Sequence, residues 1–471
     1  MAKRPLRWFT AATVAALGAI SLVAGTAAGT AATAAASGTV APHPYINDPI
    51  NGKTLSTPPT TAFCLQNFGI HCYQPAQLEQ AYNLNALHNA GITGKGRTIV
   101  IVDAFGSPTI ANDLKVFDQT FGLSDPPSLT IRQDAGPVPP FDPTNSDMTG
   151  WADETTLDVE WSHVFAPDAK ILLEETPVSE TEGVQGFPEI VTAENYVINH
   201  HLGDVISQSF GATEETFPSK QSILGLRSAL KNADAHGVTV LASSGDDGVT
   251  DAEANGTDLY PMRVNSWPSA DPLVTSVGGT MLDLDANGNR LQSDVVWNDF
   301  VSVGGGAGGG GVSSVFNRPN FQNGVHQVVG SHRGTPDVSM SAAVDGAVVL
   351  YFSFEPNNVG YHLVGGTSEA SPEFAGIIAM AAQLAGHSLG NINSRLYTLA
   401  RFGSAAGVVD VTSGNNTFGP FTNSDGTTHT VVGYTAGPGY DLASGNGTVN
   451  ALRFVPALAF VPDHGDGNSQ N

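Results

Sequence analysis

Four short, continuous apolar runs narrow what this chain can become: TIVIVDAF (98–105), AKILLEE (169–175), DVISQSFG (204–211) and VTVLASSG (238–245). Helical patterns follow or separate them: TIANDLKVFDQTF (109–121), DETTLDVEWSHVF (153–165), FPEIVTAENYVINHH (187–201) and PSKQSILGLRSALKNADAHG (218–237). Strands that are apolar on both faces need cover on both sides. The alternation therefore predicts an α/β domain, a mostly parallel sheet with helices on both faces. In an open sheet of that kind, reactive groups gather in loops and helix starts at the carboxyl ends of the strands. No repeat of fixed period and no sign of a second domain interrupts the pattern.

Composition removes several other possibilities. With 41% hydrophobic and 13% charged residues, the 471-residue chain lacks the signature of disorder, and 54 glycines and 29 prolines imply tight turns and long loops. Its 19 basic residues against 44 acidic ones make a surface that repels nucleic acid and anionic membranes. The N-terminus, basic at MAKRPLRW, then apolar and then rich in small residues up to A-x-A sites at Ala34 and Ala36, reads as a secretory leader over 1–36. An extracellular protein that keeps no membrane segment after leader removal is expected. Residues 37–60, rich in Pro, Thr and Asn, read as a flexible lead-in, and 464–471 as a tail. The two cysteines, Cys64 and Cys72, are expected to pair after export as a local staple of about 2–3 kcal/mol.

Two segments invite contrary readings. DLDANGNRLQSD (283–294) nearly satisfies a calcium-binding EF-hand loop, but its flanks alternate like strands around an Asn-Gly turn, which favours a β-hairpin. VSVGGGAGGGGVSSVF (301–316) has the composition of a linker, yet it lies inside the α/β pattern, and bare glycine backbone also admits a peptide alongside it.

The chemistry concentrates in GGTSEASPEFAG, beginning at Gly365. A Gly-Gly-Thr-Ser turn opening a helix would set Ser368 beside unpaired N–H groups, which suits a nucleophile with an oxyanion to stabilise. Taken alone, Ser368 could equally be an N-cap. None of the 13 histidines stands in the H-G-x-H context of a subtilisin-type triad, and His163 is turned away from Glu154 on its helix. Instead WADETTLDVEW puts Glu154 and Asp158 one helical turn apart, where two like charges brought close would resist joint ionisation and share a proton, although such a pair taken alone is more often a solvated acidic face. Asp246, in SSGDDG after a strand, could donate a hydrogen bond if it were buried and protonated, or could equally belong to a simple Asp-Gly turn.

From YQPAQLEQAYN (73–83) to TVNALRF (448–454) these motifs occur in an order that resembles the sedolisins, the serine-carboxyl peptidases of subtilisin-like fold. The resemblance implies a peptidase domain over 61–463, with Ser368 as nucleophile, Glu154 as general base, Asp158 as its partner and Asp246 as oxyanion donor. It implies that the glycine stretch lines the substrate, with Ala307 where a serine is usual. It also implies a Ca²⁺ site in DVTSGNN (410–416) and AGPGYDLASGNG (436–447), held by the carboxylates of Asp410 and Asp441 and the carbonyls of Val411, Gly437 and Gly439. A secreted monomer acting on protein or peptide substrates in acid is expected, as an endopeptidase or a tripeptidyl-aminopeptidase. Family members usually carry a long N-terminal prodomain, for which this sequence is read as leaving no room. Two rivals remain, a non-catalytic binding protein on the same fold and a conventional Ser-His-Asp hydrolase, the latter disfavoured by the missing histidine motif.

Overall fold

The apolar runs become strands of one sheet in the computed structural model, which describes residues 47–50 and 53–462. In chain order the elements that position the site are β1 (Thr98–Ala104), α1 (Ile110–Phe121), β2 (Leu129–Arg132), α2 (Ser146–Phe165), β3 (Lys170–Thr176), α3 (Phe187–Asn199) and β4 (Val205–Gln208). They continue with α4 (Lys220–Leu226), α5 (Ser228–His236), β5 (Thr239–Ser243), β6 (Thr275–Met281), β7 (Val295–Val296), β8 (Val338–Ser341), β9 (Ala347–Phe352), β10 (Gly360–Val364), α6 (Thr367–Ala385) and α7 (Ala451–Phe460).

The sheet runs β7-β6-β5-β4-β1-β3-β2, with β8 paired to β6; every pairing is parallel except β6 with β7. Alternate residues of β1 serve opposite faces, as strand geometry requires. Ile99 and Ile101 join one core with α2 and α6, while Val100 and Val102 join the other with α3 and α5. Ile101 pairs with Leu173 on one side and Ser207 on the other, so β1 and β3 finish level at Ala104 and Thr176 while β4 stops earlier, at Gln208.

Helices α2 and α6 are buried almost along their whole length, so neither is an amphipathic surface helix. They meet at Gly376, where a Cβ would come 2.4 Å from Phe165 Cβ. Glycine is what allows this approach. The structure departs from the sequence reading in helix extent. α2 starts before residue 153 because Asn145 caps it by accepting from the Asp147 and Met148 amides. The segment 218–237 is two helices, broken at Arg227, whose buried guanidinium grips Asp271 at 2.6 and 2.9 Å.

A smaller sheet joins Cys72–Tyr73, β9 and β10, and Cys64 is disulfide-bonded to Cys72. Within the segment read as a flexible lead-in, the described residues are tied to this region. Asn47 pairs with Gly365 and Leu55 with Tyr361, each through antiparallel backbone bonds. Backbone groups left over along the free edge of β10 and just beyond it explain this better than any local pattern in 37–60. Residues 283–294 form the expected hairpin, with Leu284 bridged to Arg290 around the Asn287–Gly288 turn and β7 returning along β6. The leader (1–36) and the tail (464–471) lie outside the described residues.

Candidate active site

Ser368 is the second residue of α6, reached from β10 through Gly365 and Gly366. The N-cap residue, Gly366, has no side chain to cap this helix start, so the positive end of the helix dipole and backbone N–H groups stand beside the serine. Pro372 lies one turn on, where another residue would donate its N–H to the Ser368 carbonyl. With that donor missing, the Ser209 hydroxyl lies 3.4 Å from the carbonyl.

Glu154 and Asp158 share one face of α2 and are fully buried, as is Ser368. Asp158 Oδ1 accepts from the Ser209 hydroxyl at 2.8 Å. In this resting geometry Ser368 Oγ donates to the Ser209 carbonyl at 3.4 Å, and Glu154 receives no well-formed hydrogen bond. The hydroxyls of Ser368 and Ser209 are nonetheless close enough to favour the charged form of Glu154. Burial outweighs them. It pushes Glu154 and Asp158 well above the ordinary carboxylate range, and the negative charge of Asp103 adds to the effect on both.

Asp246, on the loop after β5, is also buried. Its Oδ1 accepts from the Thr367 amide at 2.8 Å and from the Thr367 hydroxyl at 2.9 Å. Its Oδ2 is 2.8 Å from the Asn47 amide nitrogen. Burial raises its pKa well above the usual value, while those three donors pull the other way. The neighbouring glycine stretch is threaded into this loop and is no free linker. Ala307 donates its amide to the Asp246 carbonyl at 2.7 Å, and a Cβ on Gly309 would stand 2.0 Å from the Ser244 carbonyl oxygen.

The structure thus brings Glu154, Asp158 and Ser368 together through Ser209, and sets Asp246 against Thr367, next to Ser368. His163 is turned to α1, with Nε2 2.9 Å from the Ser124 carbonyl and 3.3 Å from Asp118. Sequence reasoning passed over Asp103, a fully buried carboxyl near the end of β1, pushed by burial to about 7. Its place at a strand's carboxyl end was the available signal. Ser209, directly after β4, carried the same signal, and Asn47 carried none.

The expected calcium donors form a separate cluster. The two loops are joined where Asp410 Oδ2 accepts from the Gly439 amide at 2.8 Å and the Val411 carbonyl from the Ser444 hydroxyl at 3.4 Å. Asp441 accepts from the amides of Gly437, Ala443 and Ser444. Among the described residues there is no group of three or more His, Cys, Asp or Glu able to hold a metal. The expected set is of another kind, two carboxylates with backbone carbonyls, an all-oxygen donor set that fits a hard cation.

A family model described as the subtilase family matches residues 146–398, more than half of the chain, and that span includes Glu154, Asp158, Asp246 and Ser368. The chain belongs to the subtilase family. Kumamolisin from Bacillus sp. (strain MN-32) is 31% identical over 392 residues, covering 82% of this chain and 63% of that protein. Sedolisin from Pseudomonas sp. (strain 101) is 26% identical over 402 residues, covering 84% and 62%. A solved structure of Pseudomonas sedolisin complexed with two molecules of pseudo-iodotyrostatin matches with a TM-score of 0.66 at 25% identity, over 82% of this chain and 97% of that one. Within the subtilase family these relatives make the chain a sedolisin-type member with the subtilisin-like fold. It spans somewhat less than two thirds of the length of these two curated relatives.

Proposed function

We propose that this subtilase-family chain is a secreted serine-carboxyl peptidase that hydrolyses peptide bonds in acid. The observation that carries the reading is a buried serine at a helix start, with a buried carboxyl pair on one side and, on the other, the buried carboxyl of Asp246 bonded to the first residue of that helix. Ser368 Oγ attacks the scissile carbonyl and its proton passes to Glu154, whose negative charge is shared with Asp158. Asp246, anchored through Oδ1, offers the proton on Oδ2 to the developing oxyanion, next to the N–H groups at the start of α6. Glu154 then protonates the leaving amine, and water, activated by the same carboxylate, releases the acyl group. This scheme needs one negative charge on the pair while Asp246 keeps its proton. Activity therefore falls toward neutral pH as Asp246 ionises.

Kumamolisin, sedolisin and fungal tripeptidyl-peptidases among the relatives support protein or peptide substrates and leave endopeptidase and tripeptidyl-aminopeptidase action both in view. The small-residue leader at 1–36 supports export, and among the described residues no helix is long and apolar enough to cross a membrane. Ca²⁺, if bound, would be held by Asp410, Asp441 and the carbonyls of Val411, Gly437 and Gly439, where it would pin two loops together and take no part in peptide cleavage.

The test is cleavage of a denatured protein from acid to neutral pH by wild type, Ser368→Ala and Glu154→Gln. The reading expects acid-limited cleavage that both substitutions abolish. Folded but inert wild type would favour the binding-protein rival, and an active Glu154→Gln protein would favour a histidine-based hydrolase.

A further inference from the structure

The carboxyl pair is nearly surrounded by groups that cannot steady a negative charge. Glu154 and Asp158 face Asp103 from β1, and Glu154 also feels Asp246 from the loop after β5. Beyond these, Glu175 and Glu180 act on or near Asp103, again carboxyls. The other groups acting on the pair are hydroxyls, those of Ser368 and Ser209. Ser209 is the one that acts on both members.

We propose that Ser209 is a positioning residue for the reaction, a hydroxyl that couples the charge state of the Glu154–Asp158 pair to the first turn of the nucleophile's helix. The inference rests on the peptidase reading above.

Its geometry is set by three observations. Ser209 follows β4 directly, at the level where that strand ends beside β1 and β5, and is fully buried. Its hydroxyl lies 2.8 Å from Asp158 Oδ1 and 3.4 Å from the Ser368 carbonyl. Its own carbonyl accepts from Ser368 Oγ at 3.4 Å. Pro372 is what leaves the Ser368 carbonyl without its helical donor, so one hydroxyl proton has two acceptors to choose between.

A hydroxyl carries one proton and two lone pairs. When Asp158 bears negative charge, the proton goes to Oδ1, because a charge-assisted bond is the stronger. When Asp158 is protonated there, the carboxyl donates to Ser209 Oγ, and the hydroxyl proton turns to the Ser368 carbonyl. The same anchoring leaves Asp158 Oδ2 as the oxygen available to carry the proton shared with Glu154. Thr367 likewise holds Oδ1 of Asp246, while Oδ2 accepts from the Asn47 side chain.

Ser209→Ala removes only the hydroxyl and keeps the backbone carbonyl that meets Ser368. Without a donor for the charged form, both carboxyl pKa values rise, so the acid limb of the kcat profile moves to higher pH. At the optimum kcat falls by about tenfold or more, the scale of losing a hydrogen bond to a charged group, while KM changes little. Ser209→Thr, which keeps the hydroxyl, restores both the limb and the rate. A Ser209→Ala profile superimposable on wild type overturns the inference, as does a loss of rate that Ser209→Thr does not repair with the limb unmoved, since packing alone would then explain it. Glu154→Gln is assayed alongside. If it is inert while Ser209→Ala matches wild type, the inference alone fails; if it is active, the peptidase reading itself fails.

Discussion

Asp246 illustrates how a single carboxyl can be balanced between two roles. Burial favours its neutral form, and the Thr367 amide, the Thr367 hydroxyl and the Asn47 amide favour its charged form. The neutral form is the one that can donate to an oxyanion, so each donor removed extends the range over which Asp246 works. Asn47 is the donor whose side chain can be removed without substituting a residue of the serine turn, and its backbone pairing with Gly365 stays in place. Asn47→Ala takes away a bond that stabilises the carboxylate, and the Asp246 pKa rises. The expected outcome is a neutral-side limb of the activity profile displaced upward, by up to about one pH unit, the scale of one hydrogen bond to a charged group. Measuring kcat against pH for both proteins decides it. A limb displaced downward would mean that Asn47 steadies the protonated form, with its amide oxygen rather than its nitrogen turned to Oδ2.

The elements that hold these residues depend on two buried helices lying close together. An added Cβ at Gly376 would meet Phe165 Cβ at 2.4 Å and the Phe165 carbonyl carbon at 3.2 Å, backbone that cannot swing away. Gly376→Ala is therefore expected to force α2 and α6 apart despite the better helix propensity of alanine. Overpacking of about 1–3 kcal/mol lowers Tm by several degrees. Because α2 carries Glu154 and Asp158 and α6 carries Ser368, kcat should fall further than lost stability explains, measured well below Tm. Unchanged kcat with lowered Tm would show that the site tolerates the displacement. This arrangement was legible in part. The four apolar runs were enough to find strands of the sheet, and the motifs with the family resemblance were enough to single out Ser368, Glu154, Asp158 and Asp246, which the fold sets near one another. The break at Arg227 was not legible, because it depends on Asp271, which the helical pattern of 218–237 does not contain. The partners of Ser209 and Asn47 were not legible for a related reason. Each acts through a contact made only after the sheet has closed, and neither residue type in its local setting announces a partner.

The whole molecule carries the same electrostatic bias as its site. Burial pushes Asp299 to about 6, Asp103, Glu174, Glu214 and Asp247 to about 7, Glu194 to about 8 and Glu182 to about 9. In the unfolded chain these groups ionise in the ordinary carboxylate range, near pH 4. Between the two values the folded state holds a proton that the unfolded state has released, so the sign is fixed. Their contribution to stability is complete below about pH 4 and is lost as pH rises through the folded values. A fully buried group of this kind weighs up to about 1.4 kcal/mol per pH unit. The carboxyls of Asp142, Asp258, Asp285 and Asp425 are shifted the opposite way by hydrogen bonds, but they are fully solvated and weigh little. A formal net charge of −25 at pH 7 adds self-repulsion in the same direction as the buried groups. Tm is accordingly expected to be highest near pH 4 and to fall by at least about 10 °C by pH 7, at roughly 2–4 °C per kcal/mol for a large domain. Thermal denaturation of the Ser368→Ala protein across that range removes self-digestion as a cause. A Tm that is flat or rising toward neutral pH would show that the buried carboxyls find compensating cations or solvent in the folded state. The acid preference would then belong to the catalytic groups alone, whereas a falling Tm makes it a property of the fold that surrounds them.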